Sequence, residues 1–149
     1  MNLKDRITAD MKDAMRAKAA ARLSTIRLLL AAIKQREVDE RTALADADVV
    51  AVVEKMVKQR RESIAQFEAG NRKDLADAER AEQAILEAYL PQRMSDAEID
   101  EAVDAALAAA RAAGATGPAI MGKAMAALKP ALAGRADMAE VSAKVKARL

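Results

Sequence analysis

Arg22–Glu40 reads RLSTIRLLLAAIKQREVDE, and the middle of this stretch is apolar on nearly every side. At helical spacing Leu23, Ile26, Leu30 and Ile33 fill one face, whereas Leu28 and Leu29 point elsewhere, so no single partner surface covers them all. A helix of this kind belongs at the centre of a bundle.

Helices flank it on both sides. Before it, Leu3–Lys18 sets Leu3, Ile7, Met11, Ala14 and Met15 on one face, with Asn2 available as a cap. After it, Asp46 or Asp48 opens a third helix that reaches Ala69, where Gly70 and Asn71 supply the left-handed turn that ends a helix. A fourth helix runs from about Asp74 to Leu90 and stops before Pro91.

The third and fourth helices each carry one charge inside an apolar face. Arg60 projects among Val49, Val53, Met56, Val57, Ile64 and Phe67, and Glu82 among Leu75, Ala78, Ile85, Leu86 and Tyr89. In an antiparallel hairpin about Asn71, positions equidistant from the turn meet, which sets Arg60 opposite Glu82. A buried charge needs a partner, so a structural Arg60–Glu82 ion pair is expected, shared with Tyr89 or with a residue of the central helix.

Ser95 and Glu98 form a capping box just after Pro91 and mark a domain boundary. Beyond it the fifth helix turns Ile99, Val103, Ala106, Leu107 and Ala110 inward. Pro118 suits the first position of a sixth, whose face is Ile120, Met121, Ala124, Met125, Leu128 and Leu132. Pro130 is expected to kink or stop the sixth helix. Asp137 and Glu140 then open a seventh with Val141, Val145 and Leu149 inward. The reading is all-α: an N-terminal four-helix domain over residues 1–93 and a small three-helix domain over 94–149.

Composition agrees with helices, since the chain is rich in helix formers and has one Phe, one Tyr and no Trp. No apolar run approaches the ~20 residues of a membrane span, and the charged N-terminus lacks the core of a signal peptide. Together with the absence of cysteine this leads to an expectation of a cytoplasmic protein with no membrane contact. With neither His nor Cys, imidazole and thiolate chemistry is excluded, and no catalytic residue, metal site or cofactor is assigned. Gly117–Lys123 imitates a phosphate-binding loop, but Ala124 stands where a magnesium-binding hydroxyl belongs and no strand precedes it.

The charge is unevenly placed. From Gly114 onward six cations, Lys123, Lys129, Arg135, Lys144, Lys146 and Arg148, face only Asp137 and Glu140. Such a basic end is either a solvated face whose cations complement the helix dipoles or a surface for phosphate backbones; lacking aromatic residues, in the second case it would read phosphate and shape rather than stack on bases.

Four ordered blocks, RLSTIRLLLAAIK, KQRRESIAQFEAGNR, ILEAYLPQRMS and MGKAMAALKPALAGRAD followed by VSAKVKARL, make the chain resemble the GatB/YqeY family in its free-standing YqeY form. It is similar over its length to the helical and tail domains that end the B subunit of the glutamyl/aspartyl-tRNA amidotransferase. The resemblance implies a helical domain, a three-helix tail, and a role in gripping tRNA or another structured RNA. The alternatives it implies are an adaptor for tRNA-handling proteins, or an accessory to carbon–nitrogen ligase activity with glutamine as amido-N-donor. The chain lacks the amidotransferase's catalytic domain, so it is not expected to be an enzyme on its own. The tail block matches at Gly122, Lys123, Gly134, Arg135 and Ala136, with the two glycines allowing close helix approach and a helix end, while Pro130 departs from the amidotransferase tail.

Overall fold

Asn2 opens the first helix, α1 (Leu3–Arg16), by accepting a hydrogen bond from the Asp5 N–H at 2.8 Å. The computed structural model describes residues 1–149, all-helical with seven helices and no strand. By its contacts the chain divides into two compact units, Met1–Leu90 and Pro91–Leu149.

The first unit holds α1, α2 (Ala20–Glu40), α3 (Asp46–Ala69) and α4 (Lys73–Glu87). α2 touches the other three, and its Ile26, Leu29 and Ile33 are fully buried against Ile7, Ala14, Val49, Val53, Met56 and Leu86. Its centrality is one-sided, however. Leu28 is 48% exposed, because it points away from the side of α2 that packs on α1, α3 and α4. Met15, expected inward on α1, is also exposed, since it lies one residue from that helix's end.

Each turn in this unit takes a left-handed residue, at Lys18, Arg41 and Asn71. α1 therefore ends at Arg16 rather than Lys18, the residue that redirects the chain. At the hairpin tip Gly70 has φ −85° and Asn71 takes φ +56°, so the asparagine, which tolerates this conformation, does what the glycine was expected to do. Glu37 secures the α2–α3 connection: it accepts from Lys4 Nζ at 2.6 Å and from the Leu44 N–H at 2.9 Å. These two bonds, the lysine's first, hold its carboxyl below the usual range.

The second unit holds α5 (Asp96–Ala112), α6 (Pro118–Leu132) and α7 (Met138–Ala147) around Ile99, Val103, Leu107, Ala124, Leu128, Leu132, Val141 and Val145. The Ser95–Glu98 box closes in both directions. Asp137 instead accepts from the Ala139 N–H at 2.9 Å, one residue short of the box geometry. α6 runs two residues past Pro130: within the last turn the proline costs a single backbone bond and does not stop the helix. Leu149 lies beyond the end of α7 and is exposed, not inward.

Gly134 has φ +74° and ends α6. Gly122 is different, since a Cβ there would meet nothing within 4 Å, so it serves no close approach between helices of this unit.

Candidate functional site

Four residues separate Asp100 from Asp104 on α5, and four separate Lys144 from Arg148 at the end of α7, so each pair shares a helix face. The two faces meet. Lys144 Nζ lies 2.7 Å from Asp100 Oδ1, Arg148 Nη2 lies 2.9 Å from the same oxygen, and Arg148 Nε lies 2.8 Å from Asp104. The Lys144 hydrogen bond, above all, holds the Asp100 carboxyl below its ordinary value. Arg135 is also engaged, at the surface, donating from Nε to the Gln92 carbonyl at 3.1 Å, with Nη2 4.0 Å from Glu98.

This divides the six cations of the basic end. Lys144, Arg148 and, more loosely, Arg135 spend their charge holding the second unit together. Lys123 and Lys129 on α6 and Lys146 on α7 are exposed and paired with no carboxylate. The cationic surface is about half of what the sequence count suggested. Asp96 and Glu98 in the first turn of α5 answer the helix dipole, whereas Asp100 and Asp104 lie further along it, and their four-residue spacing, matching that of Lys144 and Arg148, was a signal of cross-helix pairing.

In the first unit Arg60 Nε lies 3.1 Å from Glu82 and 3.7 Å from Glu79, with the arginine side chain 16% exposed. The arrangement is half-buried, and it takes two carboxylates one turn apart. Arg61–Glu87 and Arg80–Glu68 continue the stitching along the α3–α4 hairpin, and Asp77 holds Arg80 from within α4.

Tyr89 is not part of this network, contrary to expectation. Its hydroxyl donates to Asp10 of α1 at 2.7 Å, and the Arg6 guanidinium sits over its ring, 5.2 Å from the centroid. Burial first, then the Asp10 bond, pushes the phenol up to about 12.

Fold and surface together define a small all-α protein in which ion pairs join α1 to α2, α2 to α3, α3 to α4 and α5 to α7. The chain belongs to the Yqey-like protein family, whose model matches residues 4–149.

Among curated relatives, a protein of Pyrenophora tritici-repentis is 31% identical over 95% of this chain and 77% of its own length. A protein of Lachancea thermotolerans is 41% identical over 63% of this chain and 52% of its own. One of Saccharomyces cerevisiae is 34% identical over 63% and 51%. All three are named "Altered inheritance of mitochondria protein 41, mitochondrial". The chain spans about half the length of the latter two.

These names overturn the cytoplasmic location expected from composition. Lack of cysteine suits any reducing compartment, so it never distinguished the cytosol from the inside of a mitochondrion. No helix is long and apolar enough to cross a membrane.

Proposed function

We propose that the chain is a non-catalytic module that binds tRNA or another structured RNA, with residues 94–149 acting as the tail that makes contact and residues 1–93 as its helical support. The observation that carries this reading is the outer surface of α6. Lys123 is exposed and unpaired there beside Gly122, whose missing side chain fills no need within the fold and leaves the helix backbone open to close approach. A mid-helix glycine costs roughly 1 kcal/mol against alanine, so an external reason for it is sought. A phosphate backbone approaching α6 between Lys123 and Lys129, with Lys146 of α7 as a further contact, supplies one. Arg135, Lys144 and Arg148 support the surface.

Filter binding of tRNA across a salt series tests the proposal. Each phosphate contact adds about 0.9 to the slope of log affinity against log salt, so three lysines give a slope of roughly −2 to −3. Reversing Lys123, Lys129 and Lys146 to glutamate should flatten it. A slope that the triple reversal leaves unchanged sinks the reading.

A second reading, an adaptor for tRNA-handling proteins, is favoured by the Asp100 cluster, which removes cations that RNA would otherwise use. Capture of such a protein that persists after ribonuclease treatment supports it. An accessory role in amidation would need another subunit to carry the chemistry. The mitochondrial setting carried by the relatives' names is the one we infer for the chain.

A further inference from the structure

α2 keeps one face that the fold does not use. Ser24, Leu28, Ala31, Gln35 and Val38 are all exposed, Leu28 by 48% and Val38 by 58%. Their spacing alternates four, three, four, three, which is the spacing of a coiled-coil seam. Immediately before two of these residues stand Arg27 and Lys34, both exposed and neither within ion-pair distance of a carboxylate, Lys34 acting on Glu37 only from further off as the weakest of the influences on it. Arg41 repeats the interval just past the helix end. Seven residues advance a helix by about 10.5 Å, so the cations form a row along one edge of the seam.

The acids nearby are already occupied. Glu37 is held by Lys4 and the Leu44 N–H, and Asp39, on the other edge, accepts from Gln35 at 2.9 Å. The row of cations ends at an open groove of about 340 Å³ lined by Lys4, Lys34, Glu37, Val38, Thr42 and Ala43.

We infer that this face docks an amphipathic helix of another protein, one with leucine-like residues along its own seam and glutamate or aspartate at every flanking heptad position. Charge selects that occupant. An acidic flank with seven-residue spacing meets Arg27 and Lys34 in register, whereas a second copy of α2 would set the same cations against each other when antiparallel and, when parallel, would offer Arg27 only Ala32 and Lys34 only Asp39, which Gln35 already holds. A nucleic-acid backbone would satisfy the cations and leave Leu28 and Val38 uncovered.

The probe is a synthetic helix of about four heptads with leucine along the seam and glutamate at the flanking positions, which keep it from pairing with itself at neutral pH. Its counterpart carries lysine at those positions. The acidic peptide should bind the full chain and shift amide resonances on the outer face of residues 24–38, and the lysine peptide should not bind. Arg27→Glu with Lys34→Glu should weaken the acidic peptide by about tenfold or more and admit the lysine peptide. Val38→Asp, an exposed change, should weaken binding with the melting temperature unchanged.

Equal binding of both peptides, binding of neither, or shifts on another face overturns the inference. So does self-association abolished by Leu28→Lys, which gives the face to a second copy. Loss of tRNA binding on reversing Arg27 and Lys34 gives it to RNA and likewise overturns it.

Discussion

The Asp100 carboxylate lies 2.7 Å from the Lys144 ammonium, tying the first turns of α5 to the last turns of α7. α7 has ten residues, too few to hold a helix by itself, so this contact and the neighbouring Arg148 bonds help to fix it.

Asp100→Asn should therefore lower the melting temperature of the second unit at neutral pH. The folded carboxyl is held below its ordinary value near 4, so its contribution is complete above that pH and is lost as the pH falls through the lower folded value. Circular-dichroism melts of wild type and variant should differ at pH 7 and converge in strong acid. An equal gap at both pH values contradicts the assignment.

Arg60→Ala removes the partner of both Glu79 and Glu82 from the half-buried middle of the hairpin. We expect a loss of about 1–2 kcal/mol in urea unfolding, since hydrogen bonds to charged groups count for more than neutral ones but the site is not sealed from water. A double-mutant cycle with Glu82→Ala should return a coupling of about 0.5–1 kcal/mol.

Tyr89 is the single tyrosine of a chain without tryptophan, so phenolate absorbance reports on it alone. In the folded protein it should titrate at about 12. A pKa raised on folding stabilises below the unfolded value near 10 and stops doing so as pH climbs through 12. Tyr89→Phe loses the bond to Asp10 and should cost about 1 kcal/mol at neutral pH.

Leu28 and Leu29 are neighbours in sequence with opposite fates. Leu29 is fully buried, and Leu29→Ala should cost about 3 kcal/mol in chemical denaturation. Leu28→Ala should stay within about 0.5 kcal/mol. If the two losses prove alike, the outer face of α2 is covered in solution.

Why the sequence was legible for some features and not others follows from range. Apolar periodicity and local caps act within one or two turns, so Asn2, Ser95 and Pro118 announced their helices. A run such as Leu28–Leu29–Leu30 is apolar whichever side faces solvent, and only the number of packed neighbours decides which leucine is left out. Tyr89, just past the end of α4, found Asp10, distant along the chain, and no local pattern points there. Counting charge by segment failed at the basic end for the same reason: Lys144 and Arg148 are answered from α5, a helix that the count treated as separate.

The α3–α4 hairpin has an uneven interior. On α3 the fully buried residues stop at Val57, and on α4 only Ala76 is buried before Leu86, leaving Ile64, Phe67 and Leu75 half-covered. Fewer buried apolar groups hold the tip than hold the base of the hairpin, so within the hairpin the tip opens at lower cost. Opening that starts at Asn71 runs down both helices of the hairpin like an unfastening zip and halts where Val57 and Leu86 enter the interior. Backbone deuteration should register it as two unequal rates on either side of Arg60.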